Sequence, residues 1–317
     1  MQGRIWVWAG AFSLVMAAVP AGADENAIFG SLVRRNTEGA LAALGLAAVP
    51  SETASSLVLD TNTNPDRTYD FVAAQFGGGF RFSENIPIYL EGYLGYNRYD
   101  PVLLLSDQGT TSELPLKWTS FAATGGIGYE FDITENFKLR PQFHLMLGRT
   151  QTDASVGAQV IAERLGIDIN AVKNGGVTAG GIGGSLGAIY NKRWENDYEV
   201  DVTLRHTYLY IEPIAGDKDL SGSAEAITTA LWSRLRIPTG YELFDRPVRV
   251  VNEASFAHLP GDQGDIIQEE WLAQIGVGGE IDFEETWVPW ITTTRLMMRY
   301  TRGERVEGFS IGLAASF

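Results

Sequence analysis

Residues 121–153 read "FAATGGIGYEFDITENFKLRPQFHLMLGRTQTD". Phe121, Ala123, Ile127, Tyr129 and Phe131 fall on one face of an extended chain. Ala122, Thr124, Gly126, Gly128, Glu130 and Asp132 fall on the other. After the turn residues Ile133–Asn136, the pattern resumes. Phe137, Leu139, Phe143, Leu145 and Leu147 alternate with Lys138, Arg140, Gln142 and His144. A period of two is the signature of a strand, because successive side chains point to opposite faces of the pleat. The stretch therefore predicts a β-hairpin with arms of roughly 15 residues, well beyond the ~5–6 residues of ordinary globular strands.

The same alternation recurs. Tyr198, Val200, Val202, Leu204, Tyr208 and Tyr210 interleave with Glu199, Asp201, Thr203, Arg205 and Thr207. Trp271, Ala273, Ile275, Val277, Ile281 and Phe283 interleave with Gln274, Gly276, Gly278, Glu280 and Asp282; further on, Trp290, Leu296, Met298 and Tyr300 interleave with Thr293, Arg295 and Arg299. Twelve strands are predicted, at about 54–61, 69–82, 86–99, 117–132, 137–153, 177–194, 197–212, 225–239, 246–259, 269–284, 288–301 and 305–317. Short turns ("SENIP", "ITEN", "EN", "TGYELFD", "EETW") alternate with longer connections near 62–68, 100–116, 154–176, 213–224 and 260–268, and a tight one near Thr301–Glu304. A water-soluble sandwich is the competing reading. Strand length, tyrosine and tryptophan near strand ends, and glycine on the polar face favour an all-β, transmembrane antiparallel β-barrel.

The opening residues, "MQGRIWVWAGAFSLVMAAVPAGADEN", place one charge, Arg4, before an apolar run that ends near Ala21-Gly22-Ala23. That layout predicts a secretory signal peptide over 1–23; a retained anchor helix is the alternative, but the run is short for a span. The chain has no cysteine, 36 glycines and a formal charge of −15. Without cysteine there is no disulfide framework, which suits a bacterial envelope protein stabilised another way. The acidic balance excludes nucleic acid as a natural partner.

Residues 24–52 break the alternation. Ile28, Leu32 and Val33, then Ala40, Leu41 and Leu44, have helical spacing; alanine favours the helix and Pro50 ends it. The segment is expected as a helix in the barrel lumen, with a periplasmic or flexible tail as the alternative; residues 53–317 are expected as the barrel. A second helical pattern, Ala158, Ile161, Leu165 and Val172, lies in the longest connection and would cap the mouth or fold inward.

The chain closes on "GFSIGLAASF", with Phe309, Ile311, Leu313, Ala315 and Phe317 on one face and small residues between them. A terminal alternating strand ending in Phe resembles the assembly signal of bacterial outer-membrane proteins. Together with the luminal helix and twelve strands, the chain resembles the translocator domain of autotransporters. The resemblance implies an outer-membrane monomer in a Gram-negative bacterium, with outer-membrane lipid and the barrel-assembly machinery as partners. It implies a pore or translocation module. The helix follows the expected signal peptide directly, so no passenger is expected; a plugged structural or surface-interaction barrel is the alternative, and an outer-membrane enzyme a distant third. Self-cleaving members carry an Asn-Asn pair in their helix, whereas Asn26 and Asn36 stand apart here.

The chemistry-bearing residues fall mainly on the polar face. Arg81, Lys138, Arg140, His144, Arg205, Arg234, Arg236, Arg249, Arg295 and Arg299 are expected to line the lumen, with Glu91, Glu130, Asp132, Glu199, Asp201, Glu253, Glu280 and Asp282 opposing them. Nearly balanced charge predicts a salt-bridged, hydrated interior, able to hold a helix or pass small polar solutes. His144, His206 and His258 are the only histidines. His206 falls on the lipid-facing register. His258 follows Ser255 by three residues, so the two point to opposite faces. No catalytic, cofactor or metal site is expected. The acidic "GDKD" and "GDQGD" would bind calcium weakly at best and read as solvated loops.

Overall fold

A computed structural model describes residues 38–53, 56–59, 69–83, 85–107, 110–154, 176–215, 222–267, 269–282, 293–304 and 306–316. Its extended segments are β1 (Ser56–Leu59), β2 (Tyr69–Ser83), β3 (Ile86–Asp107), β4 (Thr110–Tyr129), β5 (Phe131–Asp132), β6 (Phe137–Ala154) and β7 (Gly176–Arg193). They continue as β8 (Glu199–Ala215), β9 (Ala224–Leu243), β10 (Arg246–His258), β11 (Trp271–Asp282), β12 (Thr293–Arg302) and β13 (Glu307–Ser316). Helix α1 covers 38–48, and α2 covers Asp262–Ile267.

All pairings are antiparallel. β1 pairs with β2 and β13, while β4 pairs with β6 across the only other candidate gap, so the 13-segment sheet closes on itself. β5 merely continues β4 beyond Glu130, which gives a ring of twelve strands. Closure matters because an open edge presents unpaired N–H and C=O groups, intolerable in hydrocarbon.

The two faces differ as the alternation requires. Phe121, Leu145, Leu204, Leu231, Ile275, Met298 and Leu313 are exposed on the outer face, while Ala122, His144, Met146, Thr203, Arg205, Trp232 and Met297 are buried on the inner one. An apolar girdle reaching all round the ring far exceeds the few-hundred-Å² patches of soluble monomers. It suits lipid. Phe309, Ile311 and Leu313 of the closing strand belong to it. Phe317, the expected signal peptide and the helical pattern within 155–175 lie outside the described residues.

Four boundaries differ from expectation. The connection expected at 100–116 is ladder almost throughout: pairing continues from Val102↔Pro115 to Asp107↔Thr110. Pro101 lies within the register skip between Tyr99↔Trp118 and Val102↔Pro115, and Pro115 bounds it, a place where a lost N–H costs little. The turn expected over 239–245 shrinks to Phe244 and Asp245, at φ 56° and 59°. Two consecutive positive φ values form the tight turn that matches strand twist; it was hidden because the usual Asn-Gly signal is missing. The connection at 260–268 contains α2. The N-terminal helix, expected across 24–52, is described only over 38–48, and residues 24–37 lie outside the described ones.

Helix α1 is apolar all round, and such a helix must be buried. Leu41 and Leu44 are fully buried, and Ala40, Ala42, Ala43, Ala47 and Ala48 are nearly so. The helix lies inside the ring.

Candidate functional site: the barrel interior

The interior has two zones. Around α1, at the end of the barrel with the longer connections, the inner face is apolar. Leu41, Leu44, Ala47 and Ala48 pack on Ala122, Met146, Val177, Ala179, Leu209, Ile211 and Ala226. Full burial of each leucine contributes about 1.5–3 kcal/mol. Glycines on the facing strands make the fit possible. A Cβ at Gly148 would lie 2.7 Å from the Leu44 side chain, and one at Gly95 would run into the Ala47 carbonyl. Polar side chains from β2, β3, β4 and β6 hold α1 by its carbonyls. Asn97 donates to the Ala43 carbonyl; Thr150 donates to that of Ala40 at 3.3 Å, and Thr124 to that of Ala48 at 2.7 Å. Gln75 Nε2 donates to the carbonyls of Ala47 (3.2 Å) and Val49 (2.8 Å). The last carbonyls of a helix lack internal partners, so Gln75 and Thr124 act as its cap at Ala47–Val49, while Asn97 and Thr150 add a second bond to carbonyls already paired within the helix.

Helix α2 lies at the mouth above. Ile266 packs against α1, and Gln263 and Ile267 are buried. Asp262 accepts a hydrogen bond from the Glu225 N–H at 2.8 Å, and Thr228 donates to Gln263 at 3.1 Å. The acidic stretch 261–265 is thus partly helical, with Gln263 and Gly264 buried and both aspartates exposed; "GDKD" at 216–219 lies outside the described residues. Among the described residues, no three acidic or histidine side chains are grouped as metal ligands would be.

Below α1, toward the short-turn end, the inner face is ionic. On one wall Glu130 accepts Arg81 at 2.9 Å and Arg140 at 2.5 Å, with Lys138 at 3.8 Å; Asp132 takes Arg81 at 3.2 Å. Arg140 also stacks over the Tyr89 ring. On the opposite wall Arg236 contacts Asp201 (2.7 Å), Glu199 (2.9 Å) and Glu280 (3.1 Å). Glu280 also takes Arg249 at 2.8 Å and Arg295 at 3.3 Å, while Glu253 takes Arg299 at 2.7 Å and Arg234 at 3.5 Å. These residues were legible as inner-face positions. The packing was not: Glu280, His144 and Arg299 are almost wholly buried, where a hydrated interior was expected.

One bridge crosses the lumen. Arg205 on β8 holds Glu91 on β3, four places away around the ring, through contacts of 2.5 and 3.2 Å. The same guanidinium lies 3.6 Å from Glu52, just beyond α1. Sequence reading missed Ser185, whose hydroxyl lies 2.9 Å from His144 Nε2, with Glu91 3.4 Å from Nδ1. His144 and Ser185 lie on the paired neighbours β6 and β7, and Glu91 on β3 is one strand beyond, across β4. The order Ser–His–carboxylate has the spacing of a hydrolytic triad. Here, though, Arg205 occupies both oxygens of Glu91, and its Nη2 lies 3.3 Å from Nε2. A cation there opposes the imidazolium that a general base must form. The cluster is a strut under α1. His206 is outward, bonded to Thr229 at 2.8 Å, and His258 is exposed.

No protein-family model matches the sequence, and no curated protein matches it either. Solved structures do. The β-domain of the Bordetella autotransporter BrkA aligns at 15% identity over 78% of this chain and 91% of its own, with a TM-score of 0.44. The transport unit of the Escherichia coli autotransporter AIDA-I aligns at 11% identity over 89% and 99%, with a TM-score of 0.48. This chain is similar to autotransporter barrels. The CymD monoaromatic hydrocarbon channel also aligns, at 11% identity over 83% and 78%, with a TM-score of 0.37. The twelve-stranded assignment for this chain stands on its own strand pairing.

Proposed function

We propose that the protein is a translocator-type barrel of a Gram-negative outer membrane, held shut by α1 and α2. The observation that carries this reading is the direction of α1. Gly39 sits at the long-connection mouth, beside Trp118 and Ile266, whereas Glu52 reaches Arg205 near mid-lumen. The chain therefore descends through the pore from residue 38 at the outer mouth to Glu52, and β1 runs back up beside β2. Bacterial barrels keep short turns in the periplasm and long loops outside. The exposed Phe309, Ile311 and Leu313 would meet lipid and the assembly machinery, and a closed ring needs no partner strand, so the barrel acts as a monomer. No chemical step is assigned to it.

A second reading, a barrel that never conducts, is favoured by how fully the α1 carbonyls are satisfied. The outward direction of α1 is tested by an epitope placed between residues 26 and 36. Antibody should reach it on intact cells, whereas an epitope in the Ile133–Asn136 turn should need a permeabilised envelope. The reverse pattern overturns the proposal.

A further inference from the structure

The outer face carries a second feature, remote from the lumen. At the foot of β7, β8 and β9, a shallow cavity of about 730 Å³, wide open to its surroundings, is lined by Lys192, Arg193, Trp194, Glu195, Tyr198 and Leu235. Register sets Lys192 beside Val200, and Val200 beside Leu235, in one outward row. Two rows higher, Ala188, Leu204 and Leu231 align in the apolar girdle, with the leucines about half exposed. The cavity therefore lies where the girdle ends and the short-turn rim begins, at the level of lipid headgroups.

Its charges are the telling part. Arg193 is bound to Asp197 at 2.9 Å. Lys192 has no carboxylate partner among the described residues; its ammonium lies 5.7 Å from the centre of the Trp194 ring. Glu195 is exposed and has no cation partner among them either. One cation and one anion thus line a single cavity without being paired. At headgroup level an unpaired lysine costs little, and its ammonium is free to take an anionic lipid phosphate.

We infer that this cavity binds the headgroup of an ethanolamine phospholipid. The phosphate meets Lys192, the primary ammonium meets Glu195, and an acyl chain runs over Leu235 and Val200 into the girdle. Trp194 and Tyr198 flank the headgroup, as amphipathic rings do at a membrane interface. A choline headgroup offers Glu195 no N–H donor, and an anionic glycerol headgroup leaves Glu195 without a cation, so the pair selects ethanolamine.

The test uses the refolded full-length protein in detergent, loaded with phosphatidylethanolamine, phosphatidylcholine or phosphatidylglycerol, with retained lipid read by native mass spectrometry. One ethanolamine lipid should be retained about tenfold better than the choline lipid, the scale of one charge-assisted hydrogen bond. Lys192→Gln should lower retention of every phospholipid about tenfold, and Glu195→Gln should abolish the ethanolamine preference while keeping phosphate binding. Both side chains lie outside the lumen, and heat-dependent gel mobility checks that each variant is folded. Equal retention of the ethanolamine and choline lipids by the parent, a preference for the glycerol lipid, or unchanged retention by a folded Lys192→Gln variant would each overturn the inference.

Discussion

Glu280 shows how single residues hold the interior. Its carboxylate is fully buried and takes three arginines, Arg236, Arg249 and Arg295, at 2.8–3.3 Å. Removing one partner from a buried ionic cluster leaves charge uncompensated, which costs about 3–5 kcal/mol. Glu280→Gln should therefore lower the unfolding midpoint in denaturant markedly, although the substitution is nearly isosteric. A midpoint equal to the parent's would mean the cluster is solvated. The neighbouring pair Thr203 and Leu204 separates the faces. Leu204→Arg puts a cation into lipid, at about 2–4 kcal/mol. Thr203→Arg would be harmless in a hydrated lumen, but Thr203 is buried opposite Trp232. We expect both to reduce refolding yield, and a fully folded Thr203→Arg would restore the hydrated picture. The sequence reveals which face each residue takes, because alternation is local. It hides which charge meets which: Glu91 and Arg205 lie 114 positions apart, and their meeting depends on register accumulated around the ring.

At the level of elements, α1 and the strands fit each other through small residues. Gly95 faces the Ala47 carbonyl so closely that no side chain fits there. Gly95→Leu should push α1 off its wall without breaking the ladder, since strand pairing does not need the glycine. The readout is a cysteine at Ala42, a position buried in the lumen. Ala42→Cys alone should resist a maleimide reagent, and should react once Gly95→Leu is added. Protection in both forms would mean that α1 is not held by this contact. Alanine content and helical spacing made α1 legible. The apolar belt that receives it was not, since Met146, Val177, Leu209 and Ile211 lie on inner registers that otherwise read as polar. Helix α2 escaped notice for another reason: a six-residue helix rich in aspartate and glycine has no apolar periodicity to detect.

For the whole molecule, the number and order of strands follow from a pattern repeated along the chain, and closure follows from the cost of an edge in lipid. What fills the ring decides what it does. An inner helix, held by side chains from β2, β3, β4 and β6 and flanked by α2, occupies the lumen, and we expect it to close the pore. The direct test is conductance in planar bilayers, comparing the full-length protein with a form lacking residues 38–53, each first checked as a folded barrel by heat-dependent gel mobility. The full-length protein should be silent and the shortened one should form steady channels. Steady conductance from the full-length barrel, or silence from the folded shortened form, would mean that α1 does not close the lumen.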